Sequence, residues 1–334
     1  MSTFRNVHDY QFTLERETTW GTAVDSAPIG LATENLEIGI SPDEHNIMRA
    51  RGNRGISEAD MWLDTNRMIP TAKFGCVATP TNLQTLVPGI LQKATDWAAA
   101  ANLWTYYTAN YADLPTPKAS NSGYFYTLTK RSPDSSNSEK VTSAVMRSMK
   151  FSVHPTDNQS SLYLETEWFG KAFSRGNNPS GTVTQESLAS VPYLWSNLVT
   201  ASYGATNILA ELRSAEINVT AGAKFAFDNP AGAVIFPMWE VGGQFTIAGG
   251  SDAETLKALC LSSAVSTADT LTLGWNTGGG APNADDEITL ASFCYLTNYK
   301  TDDSDLELVT FDFKGVFGTI ASSEYPFVFK NYQA

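Results

Sequence analysis

Two stretches of the sequence decide the fold: KFGCVATPTNLQTLVPGIL at residues 73–91 and QFTIAGGSDAETLKALCL at residues 244–261. Each begins as a short strand and continues into a segment whose apolar residues recur with helical spacing. Polar residues able to cap a helix stand where strand changes to helix. The two stretches therefore predict helices over residues 79–92 and 251–261, each directly after a strand.

The sequence around these stretches also occurs twice, in the same order. An alternating strand precedes each, ENLEI at residues 34–38 and SAEINV at 214–219, and a hairpin follows each, at residues 150–173 and 295–317. A slide of 144 residues pairs five hairpin positions: Leu162 with Leu306, Leu164 with Leu308, Thr166 with Thr310, Phe169 with Phe313, and Phe173 with Phe317. Any two hairpins with a polar turn resemble one another, but three matched segments in one order favour an internal duplication.

The rest of the chain consists mostly of short candidate strands separated by loops. This pattern predicts a mainly β fold of two tandem antiparallel β-sandwich or barrel units, each with one flanking α-helix. The expected divisions are an N-terminal arm at 1–33, a first β domain at 34–174 with an insertion at 94–142, a linker at 175–212, and a second β domain at 213–334.

Composition narrows the class of protein. The 334 residues include 22 basic and 35 acidic side chains, for a net charge of −13. This charge argues against a conventional nucleic-acid-binding protein, which needs a basic surface, but not against a surface past which nucleic acid slides. Charged residues are only 17% of the chain and aromatics are 11%. That balance suits a protein that buries much of its surface in subunit contacts, or simply a β-rich one.

The cysteines indicate a reducing compartment, and the lengths of the apolar runs bear on membrane insertion. Cys76, Cys260 and Cys294 are far apart and outside any CxxC motif, so neither a zinc site nor a disulfide framework is indicated. Cys76 and Cys260 lie in apolar contexts and are expected to be small core residues. No apolar run approaches the length of about 20 residues that a spanning helix needs, so no membrane insertion is expected.

No catalytic constellation stands out. The three histidines, His8, His45 and His154, lie far apart, and the acidic turn at residues 302–305 lacks the spacing of a calcium loop. The glycine run at 278–280 is not followed by the Lys-Ser/Thr of a phosphate-binding loop. We expect no catalysis, no cofactor and no metal site.

Two segments are candidate contacts between subunits. In the arm, Trp20 next to Gly21 needs a place to be buried, either on a neighbouring subunit or on its own domain. The long polar segment at residues 41–70 holds Arg49, Arg51 and Arg54, which can pair with carboxylates of a neighbour or lie in a solvated loop. Our hypothesis is that residues 1–33 leave the body of the subunit and bury Trp20 on an adjacent ring.

Four segments carry a resemblance to a known family: ERETTWGT at residues 15–22, LEI at 36–38, the strand–helix stretch at 73–90, and the closing strand at 306–315. In this order they resemble the tail tube proteins of long-tailed, siphophage-like bacteriophages, in the larger, duplicated class. The match extends over most of the chain without a single diagnostic motif.

The resemblance implies a β-sandwich or barrel with a flanking helix, whose subunits close into rings around a β-barrel lumen. Rings would stack through the N-terminal arm and a long loop, and DNA would pass non-specifically down the bore. Further partners would be the tail terminator, tape measure and distal tail proteins, in a virion tail assembled in the bacterial host cytoplasm. A duplicated chain implies three chains, rather than six, in a pseudo-hexameric ring. The resemblance does not specify which residues face the lumen.

Two other classes of function stay open from the sequence. One is a β-rich baseplate or receptor-binding module of a phage tail, although no fibrous trimer-forming segment is present. The other is a glycosidase-like β-enzyme, which would need paired carboxylates across a cleft.

Overall fold

The computed structural model describes residues 10–42, 47–48, 61–62, 68–91, 96–98, 103–107, 124–155, 160–185, 192–221, 224–226, 233–235, 239–262, 268–277, 287–302, 306–318 and 324–332. These contain strands β1 (Gln11–Arg16), β2 (Ile29–Leu31), β3 (Glu34–Pro42), β4 (Ile47–Met48), β5 (Met61–Trp62) and β6 (Met68–Val77), helix α1 (Pro80–Leu91), and strands β7 (Asp96–Ala98), β8 (Leu103–Tyr107), β9 (Tyr126–Arg131), β10 (Ser138–Val153), β11 (Tyr163–Phe169), β12 (Ala172–Gly176), β13 (Thr184–Gln185), β14 (Leu198–Tyr203), β15 (Thr206–Asn207), β16 (Leu212–Thr220), β17 (Lys224–Ala226), β18 (Ala233–Ile235) and β19 (Glu240–Ala248). Helix α2 (Ser251–Ser262) and strands β20 (Asp269–Asn276), β21 (Glu287–Asp302), β22 (Leu308–Gly315) and β23 (Val328–Tyr332) complete the order. The fold is mainly β, as the sequence predicts.

The same scheme of strand pairing occurs twice along the chain. In the first half, β1 pairs with β2 and β9, β10 pairs with β9 and β12, and β3, β6, β11 and β10 lie side by side. In the second half, β14 pairs with β15 and β20, β21 pairs with β20 and β23, and β16, β19, β22 and β21 lie side by side. Even the small β4–β5 ladder between β3 and β6 has a counterpart, β17–β18, between β16 and β19.

The strand–helix stretches correspond without a gap. β6 ends at Val77 and β19 at Ala248, and the two 12-residue helices that follow begin at Pro80 and Ser251, so both pairs are 171 residues apart. This is the correspondence that the sequence indicates between residues 73–91 and 244–261. Helix α1 begins with a proline in its first turn, where a missing backbone N–H costs nothing.

The hairpin alignment with a slide of 144 residues is wrong by one. β-Bulges at Met146–Ser148 of β10 and Leu296–Asn298 of β21 lie opposite Trp168 and Phe313, which are 145 residues apart. The alternation of buried and exposed residues along β11 and β22 agrees with 145. A shift of one residue moves every side chain to the other face of a sheet. Residues that are identical in the 144-residue alignment, such as Thr166 and Thr310, therefore point to opposite faces.

The two halves share one continuous sheet. Residues 148–153 of β10 pair with residues 215–220 of β16, which gives the order β3–β6–β11–β10–β16–β19–β22–β21. We call this pairing of β10 with β16 the internal join. A second connection runs through β8, which pairs with β23 at the far end of the chain.

Three of the expected divisions are therefore wrong in the described residues. Residues 10–33 are not a separate arm, because β1 pairs along its whole length with β9. Residues 175–212 are not a linker, because β14 and β15 are integral to the sheet of the second half. The insertion at 94–142 supplies strands to both halves, β9 to the first and β8 to the second.

One face of the shared sheet is packed and the other is open. On the packed face, α1 lies against β10 and α2 against β21, as equivalent elements should. The core there includes stacked pairs of aromatic rings, Phe74 with Trp168 at 6.1 Å and Phe245 with Phe311 at 5.4 Å. Alternate residues of each strand point to the other side and are exposed or half-buried. We call that side the outer face.

Candidate assembly edges

The internal join shows how one half of this fold binds the next. On the outer face, the Lys150 ammonium lies 3.2 Å from a Glu216 carboxylate oxygen, and His154 Nε2 lies 3.6 Å from the same oxygen. On the packed face, Met149 and Val219 are directly opposite one another, and both are fully buried. The join thus combines backbone pairing, an apolar row and a lysine–glutamate pair.

The chain carries a second copy of each strand of this join. When β10 and β21 are aligned on their matching bulges, Lys150 of β10 is equivalent to Lys300 of β21. In the strand register, Glu37 of β3 lies directly opposite Lys73 of β6, and Glu216 of β16 lies directly opposite Gln244 of β19. Because Lys73 and Gln244 are equivalent, β3 corresponds to β16.

Within the described residues, neither second copy has a neighbour at the matching edge. Residues 295–302 of β21 pair with β22 on one side only, since its ladder with β20 ends at Cys294. β3 pairs with β6 on one side only. In the part of the chain that the structure describes, the sheet therefore ends in two open edges, and each is the equivalent of an edge that is paired inside the molecule.

The open edges differ from their paired copies in burial. Ile40 of β3 is 41% exposed, whereas its equivalent in β16, Val219, is 0% exposed. Ile38 is half-buried, whereas its equivalent Ile217 is 1% exposed. The side chains are aliphatic in both copies, so the difference comes from the missing neighbouring strand.

The charged pair of the internal join also has its equivalents at the open edges. Lys300 of β21 matches Lys150, and Glu37 of β3 matches Glu216. Both side chains are exposed, and among the described residues neither makes an ion pair. The two edges therefore present opposite charges at the positions that are paired in the internal join.

The outer face as a whole is acidic. Its charged side chains, on the part of the eight strands that forms the shared sheet, are Glu34, Glu37, Glu165, Glu167, Glu216, Glu240, Asp302 and Asp312 against Lys73, Lys150, Lys300, Lys314 and the bulge residues Arg147 and Arg213. Lys73 lies 3.7 Å from Glu167, and Lys150 is engaged with Glu216, so part of the positive charge is neutralised locally. The net excess of charge on this face is negative.

Of the residues that the sequence predicts at an interface, the structure describes Trp20 and Gly21. Trp20 is 8% exposed, and its ring packs edge-on against Phe125 of the same chain at 4.5 Å between centroids. The prediction that Trp20 is buried on a neighbouring ring is wrong, and the alternative that it folds back on its own domain is correct. Gly21 lies beside it with φ +83° and donates its N–H to Ser143 Oγ at 2.7 Å. Arg49, Arg51 and Arg54 lie outside the described residues.

A buried carboxylate explains why this segment folds back. Glu17 is 2% exposed and accepts hydrogen bonds from the Ser143 N–H at 2.6 Å, the Ser143 hydroxyl at 2.5 Å and the Thr127 hydroxyl at 2.8 Å. Burial raises the pKa of this carboxyl above its ordinary value, although the hydrogen bonds oppose the shift. The sequence alone did not single out Glu17. Its position three residues before Trp20 gives no indication that the carboxylate is buried.

No protein-family model matches this chain, and no curated protein matches it at a significant level. Among the described residues, no group of three or more histidine, cysteine or acidic side chains is placed to hold a metal ion. Neither described helix is long and apolar enough to cross a membrane. The described cysteines Cys76, Cys260 and Cys294 are free thiols in buried positions.

Proposed function

We propose that this chain is a structural protein that polymerises, edge to edge, into the rings of a bacteriophage tail tube. The observation that carries the proposal is the pair of open sheet edges, since each is the copy of an edge that is already paired in the internal join. A chain whose free β21 edge and free β3 edge are both built for such a partner can bind a second copy at each end.

The geometry of this contact is compatible with a closed assembly. The two edges are different surfaces, so the contact is heterologous, and repeated heterologous contacts give rings or open filaments. Open edges attract unwanted strands, and closing them against other copies removes that hazard. Three chains, each with two sandwich-like units, would form the pseudo-hexameric ring that the sequence resemblance implies.

The outer face suits the wall of a DNA conduit. In a closed ring this open, acidic face would line the bore. Its carboxylates would repel the phosphate backbone over about 8–10 Å at physiological salt, which discourages sticking. The proposal has no catalytic step. It places the chain in the virion tail, with tail terminator, tape measure and distal tail proteins as its further partners.

Negative-stain electron microscopy of the purified full-length chain tests the proposal. Rings or tubes are expected, and tubes should be lost in Ile40→Lys, because a charge on an edge strand opposes pairing. Val199→Lys is the matched control, since Val199 is 51% exposed and lies on β14, outside both edges. Monomers at all concentrations would contradict the proposal. Discrete particles without tubes would favour a baseplate or receptor-binding module.

A further inference from the structure

We propose that β21 of one chain pairs with β3 of the next in the register of the internal join, and that Lys300 bridges to Glu37 across this contact. The inference rests on the proposed function, and it specifies which residues meet. In the internal join Ser148, Lys150 and Ser152 lie opposite Thr220, Asn218 and Glu216. Transfer of this register places Asn298 opposite Ser41, Lys300 opposite Gly39, and Asp302 opposite Glu37.

The apolar side of the contact supports this register. It places Tyr299, now half-buried against Phe311, opposite the exposed Ile40, and Thr301 opposite Ile38. An aromatic residue opposite a β-branched one is a favourable cross-strand pair. A register shifted by one residue would instead place Lys300 opposite Ile40, with its charged side chain among the apolar residues of the packed face. Ile40 is therefore covered by an apolar neighbour only when residues of the same face lie opposite one another.

On the charged side of the contact, one replacement adds a charge that the internal join lacks. Lys150 reaches Glu216 from the diagonal position, and Lys300 reaches Glu37 in the same way. However, Asp302 replaces Ser152, so two carboxylates lie directly opposite one another at the contact between chains. Like charges in that position destabilise a pair of strands. The contact between chains is therefore weaker than the internal join and depends on Lys300.

Disulfide trapping tests the register directly. Oxidation of Glu37→Cys/Asp302→Cys should give covalent multimers, because directly opposite Cβ atoms lie within disulfide reach. Ser152→Cys/Glu216→Cys is the positive control, and it should close a bond inside one chain. In Glu37→Cys/Asn298→Cys the second thiol lies on the same face but four residues away, beyond that reach, and few multimers are expected. The native thiols Cys76, Cys260 and Cys294 are buried, so they should not compete for the cross-link.

Charge variants test the bridge without covalent chemistry. Lys300→Glu should raise the protein concentration required for assembly by on the order of fivefold or more at low salt, and Lys300→Glu/Glu37→Lys should restore it. Asp302→Ser should lower that concentration, because it copies the internal join. Lys314→Glu is the control: Lys314 is exposed on the same face but lies on β22, away from both edges.

The outcomes separate the two proposals. Multimers from the matched cysteine pair, with rescue by charge exchange, support the register. If tubes form but the mismatched cysteine pair cross-links as well as the matched one, or Lys300→Glu assembles normally, the register is wrong and the tube proposal stands. If no variant and no wild-type protein assembles, both proposals fail.

Discussion

Glu17 shows how a single residue holds the first strands on the sheet. Its carboxylate satisfies the Ser143 N–H at a position where Ser143 has a left-handed φ of 51°, and where β10 departs from regular pairing with β9. We expect Glu17→Ala to lower the free energy of unfolding by about 2–3 kcal/mol, because buried donors lose their acceptor. Urea unfolding followed by tryptophan fluorescence measures this change.

Glu17→Gln serves as the isosteric comparison. Its amide oxygen can still accept from the Ser143 N–H, so the loss should be under half of that for alanine. Glu240→Ala, at an exposed position on β19, should change the free energy by no more than about 0.5 kcal/mol. Equal losses in the alanine and glutamine variants would contradict the hydrogen-bonding role assigned here.

The raised pKa of Glu17 makes a separate prediction about pH. The folded protein retains this proton at pH values where the unfolded chain has lost it, so the folded state binds more protons. This contribution to stability is therefore complete below the ordinary carboxyl pKa and decreases as the pH rises towards the raised value. The difference in free energy of unfolding between wild type and Glu17→Gln should fall across that window. A difference that stays constant or rises with pH would contradict the prediction.

At the scale of elements, β1 is an interior strand between β2 and β9. Deletion of residues 2–20 removes it and leaves β9 with an unpaired edge and a core without Phe12, Leu14 and Trp20. We therefore expect that deletion to destabilise the fold strongly, with loss of cooperative thermal unfolding. Deletion of residues 2–9 removes no described strand and should unfold cooperatively. A stable, folded subunit from the longer deletion would restore the idea of a detachable arm.

The elements also show what the sequence could and could not predict. The repeated strand–helix stretch was recognisable because both copies keep the same spacing, with no insertion between β6 and α1 or between β19 and α2. The pairing of β1 with β9 joins residues more than a hundred positions apart, and β1 shares no clear pattern with its counterpart β14, so the segment looked like an arm. The bulges that set the hairpin register have no recognisable sequence pattern.

The candidate site was missed for a related reason. Tryptophan and clustered arginines are conspicuous in a sequence, whereas an open edge is defined by a neighbour that is absent. Glu37 and Lys300 look like ordinary surface residues until the internal join shows their equivalents in contact. Composition could indicate a surface made for subunit contacts, but the proposed position of that surface rests on the repeated topology.

At the scale of the whole molecule, the two halves are equivalent in topology but not identical. The β7–β8 ladder has no counterpart among the described residues of the second half, and β8 pairs with β23. A ring of three chains should therefore have threefold symmetry with an approximate sixfold repeat in its inner sheet. Native mass spectrometry of isolated rings should give three copies of the 36.2 kDa chain. Averaged end-on views should show six similar sectors that differ in alternation. Rings of six chains, or an inner wall formed by only one half of each chain, would contradict the equivalence between the internal join and the contact between chains.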